Sequence, residues 1–383
     1  MISATAILMR VLFINKFIPP DPAPTAVLVD AVARKVRENG GHISFAGSHA
    51  GYRQQRVSGW RRWWREGWGN ARLLWRGLTG PRPDAIVCLT DPPGSLVVGA
   101  LIARLRRAKL IHWAMDVYPE IAVALGELTP AGPVDRAVRS AMHWAYRQCA
   151  AIACLDDDML EILNLRNDPR AFVSTPWPAP GLSAPEFPPT SNPTRLRWLY
   201  SGNLGRAHDY ATLLRAQRRL EDADAPFDLV FQGGGPAREA AMRMAAVLRL
   251  EHCHWLDYAP EEKLLESMLA AHVLIATQKP ETRGLLWPSK LAPMLALPRP
   301  ITWVGPIDGA IAAKIRESGP QHAIFAPGDD ESLARWLMDS RHDLARHASF
   351  SAQAVNDRLA QAREESLATW LVRLESVAPR SET

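Results

Sequence analysis

Short apolar runs alternate with stretches of helical periodicity along the first part of the chain. Residues 11–15 form a run typical of a buried strand, and apolar residues at helical spacing follow over residues 27–36 after a proline-rich loop. Further runs of the first kind predict strands at residues 43–46, 85–89 and 109–113. A helix is predicted between the last two strands, over residues 94–107. Strands and helices that alternate in this way predict a parallel, doubly wound sheet.

A dense group of prolines interrupts the alternation near the middle of the chain. Seven prolines fall within residues 176–193, and neither a regular helix nor a central strand tolerates such spacing. After them the pattern resumes, with predicted strands at 196–200, 228–231, 273–276 and 301–304, predicted helices at 210–220 and 237–248, and an apolar helical stretch at 291–297. The predicted fold class is therefore α/β, with two Rossmann-like, doubly wound parallel-sheet domains.

The proline group also predicts the domain boundaries. We expect an N-terminal domain over residues 1–178, a linker over 179–195 and a C-terminal domain over 196–351. A closing helix within residues 352–383 is expected to pack back on the first domain. Open α/β sheets bind ligands outside the carboxyl ends of their strands, so we expect the functional loops to line a cleft between the two domains.

Composition supports an ordinary globular enzyme. The chain has 383 residues, of which 47% are hydrophobic and 22% charged, and this length favours two domains. Its four cysteines are too scattered for a disulfide framework or a C-x-x-C site. No run approaches the roughly 18 apolar residues of a membrane span, and the first nine residues lack the features of a cleaved signal. We therefore expect a cytoplasmic protein.

Positive charge is concentrated in one tryptophan-rich segment, residues 53–82, which holds eight arginines and one acid, Glu66. On a helical wheel one side collects Trp60, Trp64, Trp68, Trp75 and Leu78, and the neighbouring side collects Arg61, Arg65, Arg72 and Arg76. This pattern predicts reversible contact with the anionic inner face of a membrane. The alternative is that the tryptophan stripe packs in the core. Because the excess of positive charge is confined to one segment, nucleic-acid binding is not predicted.

Three loops of the second domain have residues suited to anion binding. The segment 201–209 contains Gly202, Arg206 and His208 between a strand and a helix, where backbone N–H groups and positive side chains can face a diphosphate. The alternative is an ordinary turn that Asp209 caps. The next strand ends in three glycines at 233–235, which permit unusual backbone geometry.

The third loop lies between two of the seven lysines in the chain, Lys279 and Lys290. Either can act as a point charge on a phosphate group. The alternative for each lysine is a solvated position with no ligand.

Six segments, taken in order over nearly the whole chain, resemble one known family. They are FIPPDPAPT at residues 17–25, DVYPE at 116–120, YSGNLGRAHD at 200–209, GGG at 233–235, GLLWPSKL at 284–291 and APGD at 326–329. The chain resembles the retaining glycosyltransferases of family 4, which have the GT-B fold. Among them it is most similar to bacterial envelope-polysaccharide enzymes of the fucosamine transferase type.

The resemblance implies a function for each domain. The second domain is expected to bind a nucleotide-diphosphate sugar, with UDP as the expected nucleotide, and the first a glycan or lipid-linked acceptor. Transfer is expected to retain the anomeric configuration and to need neither a metal nor another cofactor. The residues implied near the diphosphate are Gly202, Asn203, Arg206, His208, Lys279, Ser289 and Lys290. Those implied near the base or ribose are Gly233 and Gly234, and those near the sugar are Gly284 and Leu285.

Three residues carry the expected chemistry. Arg206 and Lys290 would stabilise the negative charge that develops on the departing β-phosphate. Asp116 would orient or deprotonate the acceptor hydroxyl, although an aspartate at a strand end is equally typical of a structural cap. The resemblance also implies that Thr25 faces the donor.

Departures from the family pattern leave two other hypotheses open. Many members have two glutamates in the third loop, where this chain has Leu285 and Pro293, and a pocket histidine where it has Met115. The chain is therefore either a glycosyltransferase, a membrane-associated relative that binds nucleotide sugar without turnover, or another GT-B enzyme such as an epimerase. His112 replaces the displaced histidine only if its strand bulges.

Two further clusters resemble metal sites, and the pattern favours structural roles for both. Asp156, Asp157 and Asp158 precede an apolar helix and are predicted to cap it. His252, Cys253 and His254 lie on a predicted short strand without a second pair of ligands nearby, so core packing is expected.

Overall fold

The structure, a computed structural model, describes residues 9–48, 60–178, 194–345 and 352–377. Side chains are not described at residues 60–63, 261, 352 and 354. The chain divides into two compact units, one within Met1–Ala179, Gly284–Trp287 and Ala362–Thr383 and the other within Pro180–Arg283 and Pro288–Gln361. The predicted linker at 179–195 falls almost entirely outside the described residues.

Six parallel strands form the sheet of the first unit, in the order β2-β1-β3-β4-β5-β6. The strands are β1 (Arg10–Asn15), β2 (His42–Gly47), β3 (Ala85–Leu89), β4 (Lys109–Trp113), β5 (Cys149–Cys154) and β6 (Ala171–Val173). The helices are α1 (Pro24–Glu38), α2 (Trp60–Thr79), α3 (Ser95–Arg106), α4 (Glu120–Ala124), α5 (Pro133–Gln148) and α6 (Asp157–Ile162).

A buried ion pair attaches α2 to the first sheet. The Nζ of Lys16, which follows β1, lies 2.7 Å from Oε1 of Glu66, and both side chains are less than a tenth exposed. On the same face of α2, Leu73 is fully buried and Gly77 packs against Ile102 of α3. Because glycine has no side chain, Gly77 allows α2 to pack closely on α3.

Six parallel strands also form the sheet of the second unit, in the order β12-β11-β10-β7-β8-β9. The strands are β7 (Leu196–Ser201), β8 (Phe227–Gln232), β9 (Cys253–Leu256), β10 (Val273–Thr277), β11 (Ile301–Val304) and β12 (Ala323–Phe325). The helices are α7 (Ala211–Asp222), α8 (Arg238–Val247), α9 (Glu261–Leu269), α10 (Leu291–Leu295), α11 (Ala310–Glu317), α12 (Asp330–Asp339) and α13 (Arg341–Ala345). The strand order reverses between β7 and β10, and such a switch point is where ligands bind.

The predicted fold class is confirmed by these two sheets. Predicted strands at 85–89, 109–113 and 301–304 agree with β3, β4 and β11 at both ends. Strand β5 was not predicted from the sequence, because it begins directly after α5 with Cys149 already in extended conformation. No glycine or proline separates α5 from β5, so no breaker residue marks the boundary between them.

The last described helix, α14 (Ala352–Val377), places Trp370 in the core of the first unit. The Trp370 ring lies 4.4 Å from that of Trp113 between centroids, and its Nε1–H donates to Oγ of Ser174 at 2.9 Å. Arg373 also donates to the carbonyl of Pro169. These contacts attach residues 362–377 to the first unit.

We predict that Trp370→Ala lowers the free energy of unfolding by about 3–5 kcal/mol, because it leaves a large cavity among aromatic rings. Trp370→Phe should cost less, since it loses the hydrogen bond to Ser174 but keeps a ring. Val372→Ala on the exposed face of the same helix is the control, with a change within about 0.5 kcal/mol. Chemical denaturation measures all three. Equal effects of the 370 and 372 substitutions would contradict this account.

Candidate functional site

The loops after β7 and β10 meet at the switch point of the second sheet. The N–H of Lys279, after β10, donates to the carbonyl of Ala207 at 2.8 Å. The Nδ1 of His208 lies 2.7 Å from the carbonyl of Thr277, the last residue of β10. The segment from Gly202 to His208 is therefore held against the end of the neighbouring strand.

Glycines allow the loops after β7 and β8 to approach each other closely. Gly233 and Gly235 have φ angles of +131° and +126°. A Cβ at Gly233 would collide with the carbonyl of Gly202, and one at Gly235 would lie 2.6 Å from the amide nitrogen of Leu204. Both positions therefore require glycine for space and for backbone conformation.

Lys290 points its ammonium group into this loop cluster. Its Nζ lies 3.3 Å from the centroid of the Tyr200 ring, and a Cβ added at Gly202 would be 3.7 Å from it. The Nζ is buried and has no hydrogen-bond partner among the described residues. Burial lowers the pKa of Lys290 well below its usual value. A buried donor group without a partner is uncommon in folded proteins, and it is well placed to receive an anion.

His208 is neutral at physiological pH, contrary to the expectation that it adds positive charge. Burial, together with the charges of Lys290 and Lys279, lowers the pKa of His208 to about 3. Its Nδ1–H donates to the Thr277 carbonyl, so its Nε2 is a hydrogen-bond acceptor in the neutral ring. His208 can therefore offer a hydrogen-bonding nitrogen to this loop but not a positive charge.

Other predicted anion-binding groups lie along the same loop. Asn203 and Arg206 are exposed. The N–H groups of Asn203 and Gly205 donate to no other described residue. The carboxylate of Asp209 accepts from the N–H of Thr212 at 2.9 Å and so caps α7, as the structural alternative predicted. An anion would therefore meet the loop amides and the lysines rather than the start of α7.

Tyr258 is a neighbour of this loop that sequence analysis missed. The Tyr258 ring lies against Gly233 and Gly234, and it would be 3.1 Å from a Cβ added at Gly234. The side chain is 54% exposed. An exposed aromatic ring beside a close backbone turn suits stacking on a planar ligand group. A single tyrosine outside any glycine-containing motif gave no signal. Ser289, which precedes Lys290, is exposed.

Asp116 lies at the carboxyl edge of the first sheet, after β4. Burial, together with the charge of Asp91 after β3, raises the pKa of Asp116 to about 7. Its N–H lies 3.4 Å from Oγ1 of Thr90, and its backbone forms a bridge with Leu286. Its carboxyl group therefore titrates near neutral pH, as a general base requires.

A lysine lies at the same edge, at the end of β1. Lys16 Nζ is 3.7 Å from Oδ1 of Asp91 as well as 2.7 Å from Glu66, so its charge is shared between two carboxylates. Thr25 is nearby in sequence, at the start of α1, where its Oγ1 accepts from Nδ2 of Asn15 at 3.0 Å.

The tip of the third loop packs in the first unit, although sequence analysis assigned it to the second domain. Gly284 has a φ of +67°, and a Cβ there would lie 2.8 Å from the carbonyl of Asp158. The carbonyl of Leu285 accepts from the N–H of Val117 at 2.9 Å, and its side chain is buried. These contacts explain why Gly284–Trp287 groups with the first unit.

Two sequence expectations about single residues are resolved here. His112 is fully buried, donates from Nδ1 to the Cys88 carbonyl at 2.9 Å and pairs in regular register with β3. Burial lowers the pKa of His112 to about 4, so this residue is part of the core. Asp156 caps α6 as predicted, since its Oδ1 accepts from the N–H of Met159 at 2.8 Å.

Three tryptophans of α2 point outward, so the alternative of core packing is wrong for them. Trp64, Trp68 and Trp75 are 65%, 72% and 70% exposed. Arg72 beside them is exposed and Arg65 is half-buried. The side chains of Trp60 and Arg61, which were predicted on this surface, lie outside the described ones. None of the described helices is long and apolar enough to cross a membrane.

Several solved structures share this fold over nearly the whole chain. HepE from Anabaena, in complex with UDP and glucose, has 14% identity and a TM-score of 0.65, over 94% of this chain and 99% of that one. A glycosyltransferase from Rickettsia africae has 11% identity and a TM-score of 0.62, over 96% and 98%. WaaG, a glycosyltransferase involved in lipopolysaccharide biosynthesis, has 16% identity and a TM-score of 0.58, over 96% and 98%. The chain therefore has the GT-B fold.

No protein-family model matches the chain, and no curated protein matches it in sequence.

We predict that Asp116→Asn increases stability more at pH 8 than at pH 5. Because the folded protein holds the Asp116 proton up to a pKa of about 7 and the unfolded chain releases it near 4, this group lowers the free energy of unfolding as pH rises between those values. Asparagine does not titrate at this position, so the variant does not lose this stability as the pH rises. Chemical denaturation at both pH values measures it, with Asp339→Asn on the exposed face of α12 as control. If the difference in unfolding free energy between the Asp116→Asn variant and the unmodified chain is the same at both pH values, the raised pKa is contradicted.

Proposed function

We propose that the protein transfers a sugar from a nucleotide-diphosphate sugar, with UDP as the nucleotide, to a glycan or lipid-linked acceptor in cell-surface polysaccharide synthesis. The observation that carries this proposal is the buried Lys290 ammonium, which lies over the loop at the switch point of the second sheet without a hydrogen-bond partner among the described residues. The fold shared with HepE, whose solved complex holds UDP and glucose, and with the glycosyltransferase WaaG supports it.

Lys290 and the loop amides would act on the leaving group. Cleavage of the bond between the sugar and the β-phosphate leaves additional negative charge on the phosphate oxygens. Fixed donors in a site with little water stabilise this charge more in the transition state than in the ground state. Arg206 and Lys279 would add positive charge, and Tyr258 would stack on the base. In this proposal the transfer is retaining and needs no metal, as in family 4.

Asp116 would act on the acceptor. A carboxyl with a pKa of about 7 is present in both protonation states at neutral pH, so its ionised form can accept the proton of an attacking hydroxyl. Asp91 contributes by raising that pKa. The acceptor-binding surface would therefore be the carboxyl edge of the first sheet.

The exposed tryptophans of α2 support peripheral binding to an anionic membrane surface, where a lipid-linked acceptor would be available. Tryptophan favours the level of the lipid headgroups, and each arginine near an anionic leaflet contributes about 1 kcal/mol. Trp64, Trp68 and Trp75 with Arg72 supply both features on one helix.

We predict that Lys290→Met reduces turnover of the sugar donor by about 100-fold, because it removes a positive donor from the departing phosphate. Lys263→Met, an exposed lysine on α9 of the same unit, is the control and should leave turnover unchanged. The assay is release of UDP from a panel of UDP-sugars, with and without acceptor, and thermal shift with UDP reports binding.

The same panel separates the alternatives. A thermal shift with UDP but no turnover of any donor by the unmodified chain would support a binding protein without enzymatic activity. A converted sugar nucleotide in the absence of acceptor would support an epimerase. Equal turnover by the Lys290 and Lys263 variants would contradict the assigned role of Lys290.

We predict that the triple variant Trp64→Ala, Trp68→Ala, Trp75→Ala loses binding to vesicles that contain phosphatidylserine by at least about tenfold. Co-sedimentation measures the bound fraction. Val247→Ala, which alters an exposed side chain of the second unit, is the control. Equal binding of the unmodified chain to neutral and anionic vesicles would contradict a charge-dependent membrane surface.

A further inference from the structure

Two histidines and an aspartate converge at the start of β8 and β9. Asp228, His252 and His254 each offer one ligand atom, and these atoms lie within 4.8 Å of one another. The Nδ1 of His252 is 3.4 Å, and the Nε2 of His254 is 3.8 Å, from Oδ1 of Asp228. The cluster lies at the amino-terminal ends of the strands, so it is at the opposite edge of the sheet from the Gly202 loop.

The expectation that these histidines pack in the core is wrong. Their side chains are 38% and 47% exposed. Alternate residues of a strand lie on the same face of a sheet, so His252 and His254 project together. Because Leu229 pairs with Cys253, Asp228 on the adjacent strand lies beside His252. Sequence spacing between the histidines did not reveal this third group, which is 24 residues upstream.

Hydrogen bonds hold the backbone of the cluster in place. The N–H of His252 donates to Oε1 of Glu221 at 2.9 Å, and its carbonyl accepts from Leu229 at 2.9 Å. On the opposite face of β9, the Trp255 ring stacks on Phe231 at 4.5 Å between centroids. The three ligand atoms are therefore carried by a backbone that is ordered without a metal, so little ordering entropy opposes binding.

We propose that Asp228, His252 and His254 bind one Zn²⁺ ion. Imidazole nitrogen and carboxylate oxygen are ligands of zinc at about 2.0–2.2 Å, which places two ligand atoms of a tetrahedral site about 3.4 Å apart. The separations of 3.4 and 3.8 Å need little adjustment to reach that spacing. Water completes the coordination, since all three side chains are partly exposed. The ion joins the edge strand β9 to β8 and stabilises the second unit.

Arg195 competes with the ion. Its Nε lies 2.6 Å from Oδ1 of Asp228, the same oxygen that faces both histidines. The guanidinium therefore neutralises the carboxylate when no ion is bound and must release Oδ1 when zinc binds. Removing this positive charge should strengthen zinc binding, whereas a merely structural Arg195–Asp228 pair would give no such gain.

The test is isothermal titration of the full chain with ZnCl₂, together with its melting temperature with and without zinc. We expect one bound ion per chain and a higher melting temperature, because zinc binds the folded state. His254→Ala and Asp228→Asn should weaken binding at least about tenfold. Arg195→Gln should strengthen it. His143→Ala, an exposed histidine in the first unit, is the control and should bind like the unmodified chain.

Three results would overturn the proposal. They are no saturable binding to the unmodified chain, unchanged binding in the double variant His252→Ala, His254→Ala, and weaker binding after Arg195→Gln. If the histidine variants fail to fold, Co²⁺ titration of the unmodified chain still decides. Absence of the visible absorption bands of cobalt bound to imidazole would exclude the site.

Discussion

The candidate site of the second unit depends on a lysine ammonium group that has been removed from water without gaining a hydrogen bond among the described residues. Lys290 Nζ lies over the face of Tyr200, and an aromatic face offsets part of the lost hydration of a cation. The remainder of the penalty lowers the pKa of Lys290. An anion bound at this place would reverse that shift, because a negative charge favours the protonated amine. Ligand binding and protonation of Lys290 are therefore coupled.

The low pKa of His208, which is caused mainly by burial, also reflects the positive charges of this loop cluster. A second cation beside Lys290 and Lys279 would be repelled, and the low pKa of His208 avoids that repulsion. The neutral ring instead joins β10 to the loop after β7 through its bond to Thr277. The first sheet has the opposite character at its carboxyl edge, where Asp91 and Asp116 repel each other and Lys16 is shared with Glu66. One edge thus suits an anion and the other suits proton transfer from a neutral hydroxyl.

The fold could be predicted from the sequence because buried parallel strands are continuous apolar runs, and glycines and prolines marked the ends of most of them. The chain gives no such mark between α5 and β5, and β6 and β12 have three residues each, too few for a pattern to emerge. Gly233 could be singled out as a candidate because it belongs to a run of three glycines after a predicted strand, and Lys290 because lysines are few in this chain and it lies beside a glycine-containing loop. Tyr258, Asp91 and Asp228 were not, because their roles depend on neighbours that are distant in sequence.

Many members of the resembled family have two glutamates where this chain has Leu285 and Pro293. The structure around Leu285 shows whether an acid is missing there. Leu285 replaces one of them, and its side chain is 6% exposed while its carbonyl accepts from Val117. A carboxylate at that depth would need a compensating partner, and leucine needs none. The surroundings of this position are therefore suited to an apolar side chain rather than left incomplete by a missing acid. The proposed role of Lys290 does not depend on this position, because its ammonium group lies over Tyr200 in the second unit while Leu285 packs in the first.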